Sequence, residues 1–486
     1  MFRTKLKNAS IAITFNDLVL LPGFTRSEPN EIDLTTYFSK NIKLKIPFSS
    51  APMDTVTGSE LAIALALQGG IGILHRNCSA ENEVEMAKKV KRAGSYIIRD
   101  VLTISPNQTI EEAITLMTRH NIHGLPVVDK DKMLIGIITW RDVRFTARDQ
   151  LVKNVMTPRE KIISANDGIT VEEAKRILQE HRIEKLPIVD SNGRLLGLIT
   201  YKDLRMQEKY PNSIRDEEGR LRVGAAISPF DLRRAKMLEP FVDVLVIDVA
   251  HAHNANVISA VKRIIEEVSV DVVVGNIGTY EAAEDYITKI DDVAGFRVGL
   301  GSGSICTTTV ITRAFAPTLF ATVNVADAVN DYKVRLPVIA DGGIRTPGDI
   351  ALALALGASA VMMGNIFAGC KESLSKLVSI GGVFYKEYYG MGSARAKAKR
   401  AALDRYSIPS KDIVEGVEGL VPYRGGVEDV VREFVAGLKA AMGYAGANNI
   451  KDMWEKARVA FVTPLGLNES KPHDIIIPQQ KMSWGY

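Results

Sequence analysis

A cysteine inside a glycine-rich turn is the first place in this sequence where residue types and spacing could do covalent chemistry. The stretch is Gly299-Leu-Gly-Ser-Gly-Ser-Ile-Cys-Thr-Thr308, and it directly follows the apolar run Val293-Ala-Gly-Phe-Arg-Val298. That run reads as a strand, so Cys306 falls at a strand's carboxyl end, where barrel and open-sheet α/β enzymes hold their chemistry. Glycines let the backbone adopt positive φ and approach a ligand closely. Successive backbone N–H groups in such a turn form a concave anion site. A nucleophile and a phosphate cradle therefore share one stretch. The plainer alternative is a buried structural cysteine after a tight turn, since free Cys is among the most buried residue types.

Other strand ends repeat the pattern. Val242-Asp-Val-Leu-Val-Ile247 runs into Asp248, with His251 and His253 just beyond; Val270-Asp-Val-Val-Val-Gly275 runs into Asn276. Leu336-Pro-Val-Ile-Ala340 is followed by Asp341-Gly342-Gly343, and Ala358-Ser-Ala-Val-Met-Met363 by Gly364-Asn365. One such Asp alone would read as a helix N-cap. Five polar or glycine-rich ends on one rim are hard to explain as packing. Glycines after the seventh and eighth strands mark the usual phosphate corner of a barrel of this type. Asp341 beside them could accept two ribose hydroxyls, and a nucleoside monophosphate would then reach Cys306 with its base.

The elements that must position these residues alternate. Ile46–Met53 and Gly69–Leu74 read as the first two strands, with helices over Gly58–Gln68 and Ala80–Ala93. Leu221–Ala226 begins six more strands, which include Gly295–Val298. Near-continuous Val/Ile/Leu runs suit strands buried on both faces, and eight βα units predict a (β/α)8 TIM barrel of the α/β class. A doubly wound sheet is the alternative. Between the second and third units the pattern breaks into a duplication. Leu125-Pro-Val-Val-Asp129 with Leu134-Ile-Gly-Ile-Ile-Thr-Trp-Arg-Asp142 returns as Leu186-Pro-Ile-Val-Asp190 with Leu195-Leu-Gly-Leu-Ile-Thr-Tyr-Lys-Asp203. Such a repeat means two similar supersecondary units packed together. The expected organisation is barrel over 1–95, inserted α+β pair over 96–206 and barrel again over 207–486. Apolar patterning fails over about 385–426, a length that suggests a functional excursion and, from its place after the eighth strand, an active-site flap. An amphipathic helix over Val427–Met442 closes the fold.

Composition narrows the classes. At 486 residues the chain is too long for one compact core. A net charge of +4 with no long basic run gives no case for nucleic acid. The longest apolar region, from Ile350 to Met363, is broken by Gly357 and too short to span a bilayer, so no membrane partner is expected. Cys78, Cys306 and Cys370 are odd in number and far apart, unlike a disulfide or zinc framework. They fit a reducing compartment, and a cytoplasmic protein is expected.

Taken with Phe15-Asn-Asp-Leu-Val19 near the start and Glu469-Ser-Lys-Pro-His-Asp474 near the end, the cysteine loop resembles that of the IMP dehydrogenase/GMP reductase family. The duplicated insert is similar to a pair of CBS modules, a Bateman domain. The resemblance implies oxidation of IMP to XMP with NAD as hydride acceptor. Cys306 would attack the purine at carbon 2, and Arg405-Tyr406 and Thr308 would serve hydrolysis of the adduct. It also implies that Ala51, Met53, Ser304, Asp341, Gly342, Gly343, Gly364, Asn365 and Tyr388 bind the nucleotide, with Gly390-Met391-Gly392 alongside. Glu415 would face the purine N1–H. Asp248, Asn276, Arg297, Gly299 and Gly301 would lie on the NAD side. A K+ ion would rest on carbonyls of Gly301, Gly303 and Cys306, joined by Glu469, Ser470 and Lys471 of a neighbouring subunit in a homotetramer or octamer. Thr139/Asp142 and Thr200/Asp203 would flank sites for a purine nucleotide effector.

Within the resemblance, GMP reductase is the alternative enzyme. The Arg405-Tyr406 pair, the Met391-Gly392-Ser393 form of the loop and Glu415-Gly-Val-Glu-Gly419 favour the dehydrogenase branch. A non-catalytic nucleotide sensor is the alternative of another class. Asn365, Tyr389, Thr309 and the Ser407-Ile-Pro409 continuation depart from the commoner family residues.

Overall fold

The structure is a computed structural model that describes all residues except 1, 94–96, 100, 121, 399–413, 415 and 476–486, and except the side chains of 2, 202, 203, 206, 207 and 397. The chain divides into two compact units. One holds Met1–Ala93, Asn212–Asp216 and Leu221–Tyr486; the other holds Gly94–Pro211 and Glu217–Arg220.

The larger unit is a closed eight-stranded parallel barrel. Its strands are β1 (Phe48–Ser50), β2 (Ile71–Leu74), β3 (Gly224–Ile227), β4 (Val244–Ile247), β5 (Asp271–Ile277), β6 (Gly295–Val298), β7 (Val338–Asp341) and β8 (Ala360–Met363). Closure comes from β8 beside β1, Val361 opposite Phe48 and Met363 opposite Ser50. The insert interrupts the chain between β2 and β3, whose pairing sets Gly224 against Ile73. Strands such as Val-Leu-Val-Ile in β4 are buried at every position, which is why no in–out alternation marks them. The strands begin one to three residues later than the apolar runs, because the leading residues complete the preceding loop.

Helix Ser59–Leu67 follows β1 and helix Ala80–Arg92 follows β2; Ser79 caps the second by accepting from Asn82 N. The closing helix extends from Val427 to Ala445 and buries Val427, Val430, Val431, Phe434, Leu438 and Met442, a stripe at helical spacing. Gly446 ends it in the left-handed region at φ 79°.

The excursion after β8 carries more structure than its patterning suggests. Leu377–Ile380, Val383–Tyr389 and Glu418–Pro422 form a three-stranded antiparallel sheet. Tyr388, Tyr389 and Met391 are buried there. The segment is short and lacks a continuous apolar face, so hydropathy alone did not reveal it.

In the smaller unit the two repeats fold alike. Gly124–Val128 pairs with Leu134–Thr139 and Lys185–Val189 with Leu195–Thr200, each with a register shift at the penultimate residue of the first strand. Asp129 and Asp190 fix the two equivalent turns by accepting from Met133 N and Arg194 N. Each repeat has its own apolar core, one around Ile110, Leu125 and Ile138 and the other around Leu178, Leu186 and Ile199. This is the arrangement of a CBS pair.

Candidate active site

A cavity of about 710 Å³ opens among the residues that follow the carboxyl ends of β1 and β4–β8. Cys306 lies in its wall, part-buried, with its amide donating to Gly303 O at 3.0 Å. Its Sγ–H donates to Thr308 Oγ1 at 3.2 Å. Gly416 bridges to Cys306 and Val417 N donates to Ile305 O, so the end of the flap segment crosses the cysteine loop. Gly299 and Gly301, at φ 116° and 80°, make the turn that lifts this loop off β6.

The charged side of the cavity is an alternating chain. Arg297, on β6, donates from Nη1 to Asp248 Oδ1 at 2.9 Å and from Nε to Asp341 Oδ2 at 3.0 Å. Arg76, just past β2, adds a contact from Nε to Asp248 Oδ2 at 3.3 Å. Burial works against the Arg297 charge, yet the carboxylates of Asp341 and Asp248 outweigh it and hold its pKa above the usual arginine value. Asn276 is the residue skipped by a register shift in β5, between Gly275 and Ile277. Such a bulge re-aims a side chain, and Asn276 Nδ2 donates to both Asp341 Oδ2 and Gly299 O. Asp341 Oδ1 takes no partner among the described residues and is left to accept from a ligand.

Opposite this lies a neutral donor cluster. Asn365 Nδ2 donates to Ser304 Oγ at 3.3 Å. Burial raises the Tyr388 pKa far above its usual range, a hydrogen bond with Ser304 lowers it and Asp341 raises it further, so the phenol stays a neutral donor. Met53 Sδ lies 3.7 Å from the Tyr388 hydroxyl. Gly364 must be glycine for packing reasons: a Cβ there would sit 2.8 Å from the Tyr388 hydroxyl. Gly342 and Gly343 need it conformationally, at φ 85° and 76°.

The structure thus gathers Ala51, Met53, Asp248, Asn276 and Arg297 around one cavity with Gly299, Gly301, Gly303, Ser304, Cys306 and Thr308. Asp341, Gly342, Gly343, Gly364, Asn365 and Tyr388 complete the wall with Gly390, Met391 and Gly392. Arg405, Tyr406 and Glu415 lie outside the described residues. Glu469, Ser470 and Lys471 do not line the cavity; they end an exposed helix, Pro464–Glu469, and the turn after it. His253 pairs instead with Asp285 at 2.9 Å. Sequence reasoning missed Arg345 and Arg424, which also line the cavity. Arg345 sits two residues past Gly343 and Arg424 just before the Gly425-Gly426 pair, so glycine-rich strand exits were the available signal for both.

The comparisons with known proteins bear on this geometry. The family model for the IMP dehydrogenase/GMP reductase domain matches residues 12–473. The chain belongs to the IMP dehydrogenase/GMP reductase family. An inosine-5'-monophosphate dehydrogenase of Korarchaeum cryptofilum is 57% identical over 99% of this chain and 100% of its own length. One from Thermoplasma acidophilum is 48% identical over 98% of this chain and 97% of its own. Among solved structures, a cysteine-to-alanine GMP reductase of Trypanosoma brucei, in complex with guanosine 5'-monophosphate, superimposes with a TM-score of 0.88. It is 35% identical over 97% of this chain and 100% of that one. Both activities named in the family are oxidation–reduction reactions.

Among the described residues no group of three or more His, Cys, Asp or Glu could hold a metal ion. No helix among them is long and apolar enough to cross a membrane.

Proposed function

We propose that this protein is an IMP dehydrogenase, oxidising IMP to XMP with NAD+ as the electron acceptor. The observation that carries the reading is Cys306 in a cavity that holds a ribose acceptor, Asp341 Oδ1, and the neutral donors Ser304, Asn365 and Tyr388. The printed names of its full-length relatives support the same reading.

In this reading the 5'-phosphate rests among Ser304, Gly343, Gly364, Asn365 and Tyr388, and the ribose hydroxyls donate to Asp341. Cys306 attacks carbon 2 of the purine as its thiolate, the nucleophilic form of a cysteine. NAD+ supplies the site where the departing hydride is accepted. Asp248 and Asn276, fixed by Arg297, Arg76 and their neighbours, hold the nicotinamide end. The bond to Cys306 is then a thioimidate, which water hydrolyses to XMP and free thiol. Thr308, beside Cys306, orients that water. Its deprotonation is assigned to Arg405 and Tyr406 by family resemblance; an arginine is a poor base in water, so the assignment requires a water-excluded flap. A monovalent cation suits the carbonyl oxygens of Gly301, Gly303 and Cys306, a neutral hard donor set. It would steady the cysteine loop, with the neighbouring subunit's end of the chain completing the site in a tetramer. The CBS pair is read as a purine-nucleotide regulatory module, and the cell compartment as the cytoplasm.

GMP reductase is the second reading, favoured by the solved structures the chain resembles. The test is to follow reduced-cofactor absorbance with IMP plus NAD+ and, separately, GMP plus NADPH. NADH formation with no GMP-dependent NADPH loss is expected. The opposite pattern makes the protein a GMP reductase, and nucleotide binding without either reaction makes it a sensor.

A further inference from the structure

Three arginines line the cavity, and they differ in what answers their charge. Arg297 is held by two carboxylates. Arg345 contacts Asn16 Oδ1 at 2.6 Å and Asp349 at 3.9 Å. Arg424 has no side-chain hydrogen bond or ion pair among the described residues, and its Nε is buried without an acceptor. Burial lowers the Arg424 pKa, opposed by Cys370 and by Glu433, which acts from beyond ion-pair distance. Cys370 offers no counter-charge: its thiol is pushed up to about 12, by burial first and then by Glu372, and so stays neutral. Lys386, the other cation near Cys370, adds charge of the same sign.

A half-buried guanidinium whose Nε is shut away from any acceptor is costly and calls for an explanation. The position of Arg424 supplies one. Its backbone N–H donates to Gly369 O at 2.9 Å, and its Cγ and Cδ lie against Gly369. Gly369 follows the one-turn helix Asn365–Ala368, which begins at Gly364 and Asn365 in the neutral donor cluster. That turn is only ~6 Å long, a span an arginine side chain covers. The cluster itself, Ser304, Asn365 and Tyr388, offers only neutral donors to what would be a dianion.

We propose that Arg424 is the counter-charge for the substrate's 5'-phosphate, a specificity-determining residue that makes the cavity select nucleoside monophosphates over nucleosides. This rests on reading the cavity as a nucleoside-monophosphate site. The neutral donors fix where the phosphate sits, and Arg424 sets how strongly a dianion is preferred. Charge-assisted bonds to phosphate are roughly twice as strong as neutral ones.

The experiment compares the unsubstituted protein with Arg424→Met and Arg424→Lys. Ribose 5-phosphate and inosine serve as competitive inhibitors against IMP. In Arg424→Met the KM for IMP and the inhibition constant for ribose 5-phosphate should rise together, by about ten- to a hundredfold. The inhibition constant for inosine should hold, and kcat should change far less than KM. Arg424→Lys should recover most of the loss. Ribose 5-phosphate should also raise the Tm of the unsubstituted protein, but not of Arg424→Met, whose ligand-free Tm should not fall. Equal weakening of inosine and ribose 5-phosphate, or no change in either, would overturn the proposal. If the unsubstituted protein fails to oxidise IMP, the functional reading falls, while the two Tm shifts still decide the role of Arg424.

Discussion

At the β4–β7 side of the cavity every charge is answered. Arg76 and Arg297 share Asp248, Arg297 continues to Asp341, and Asn276 closes the chain at Asp341 and Gly299. At the β8 side, Arg424 lines the same cavity as the neutral donors and has no carboxylate at ion-pair distance among the described residues. The difference separates two uses of charge. A saturated ionic chain fixes geometry before any ligand arrives. An unanswered cation stores a preference that only an anion can satisfy.

Stability measurements on ligand-free protein would break or sharpen that contrast. Arg297→Met should have the largest effect, since it takes from Asp341 its ion-pair partner Arg297 and leaves Asp248 with Arg76 in place of two arginines. Removing one partner of a buried pair costs about 3–5 kcal/mol, to be read from urea denaturation. Asn276→Ala should cost about 1 kcal/mol, the usual net worth of a hydrogen bond. Arg424→Met should cost least, because it removes a half-buried charge that has no ion-pair partner among the described residues. A loss in Arg424→Met as large as that in Arg297→Met would erase the distinction between the two sides.

The barrel was legible because its strands are continuous apolar runs of the right length, separated by helical patterns and ended by glycine or polar residues. The duplicated insert announced itself through repeated Leu-Pro-hydrophobic and Gly-hydrophobic-hydrophobic-Thr segments. The three-stranded sheet carrying Tyr388 was not legible, because most of the described residues of its outer strands are exposed and their sequence lacks a clean alternation. Within the site, strand-end positions such as Asp248, Cys306 and Asp341 followed from spacing. The Arg76–Asp248–Arg297–Asp341 chain did not, since its members lie on four different strand ends and only closure of the barrel brings them together. Arg424 was missed for a related reason: the Gly425-Gly426 pair beside it flags a strand exit, but nothing local shows that the arginine lacks an ion-pair partner.

The central claim is that Cys306 forms the covalent intermediate. The direct measurement is peptide mass spectrometry on protein quenched in acid during turnover of IMP and NAD+. The account predicts a nucleotide-sized mass increase on the peptide containing Cys306. It predicts none on the peptides containing Cys78 or the deeply buried Cys370, none when NAD+ is omitted, and no NADH from Cys306→Ala. NADH production by Cys306→Ala, or an adduct located on either of the other cysteines, would contradict it.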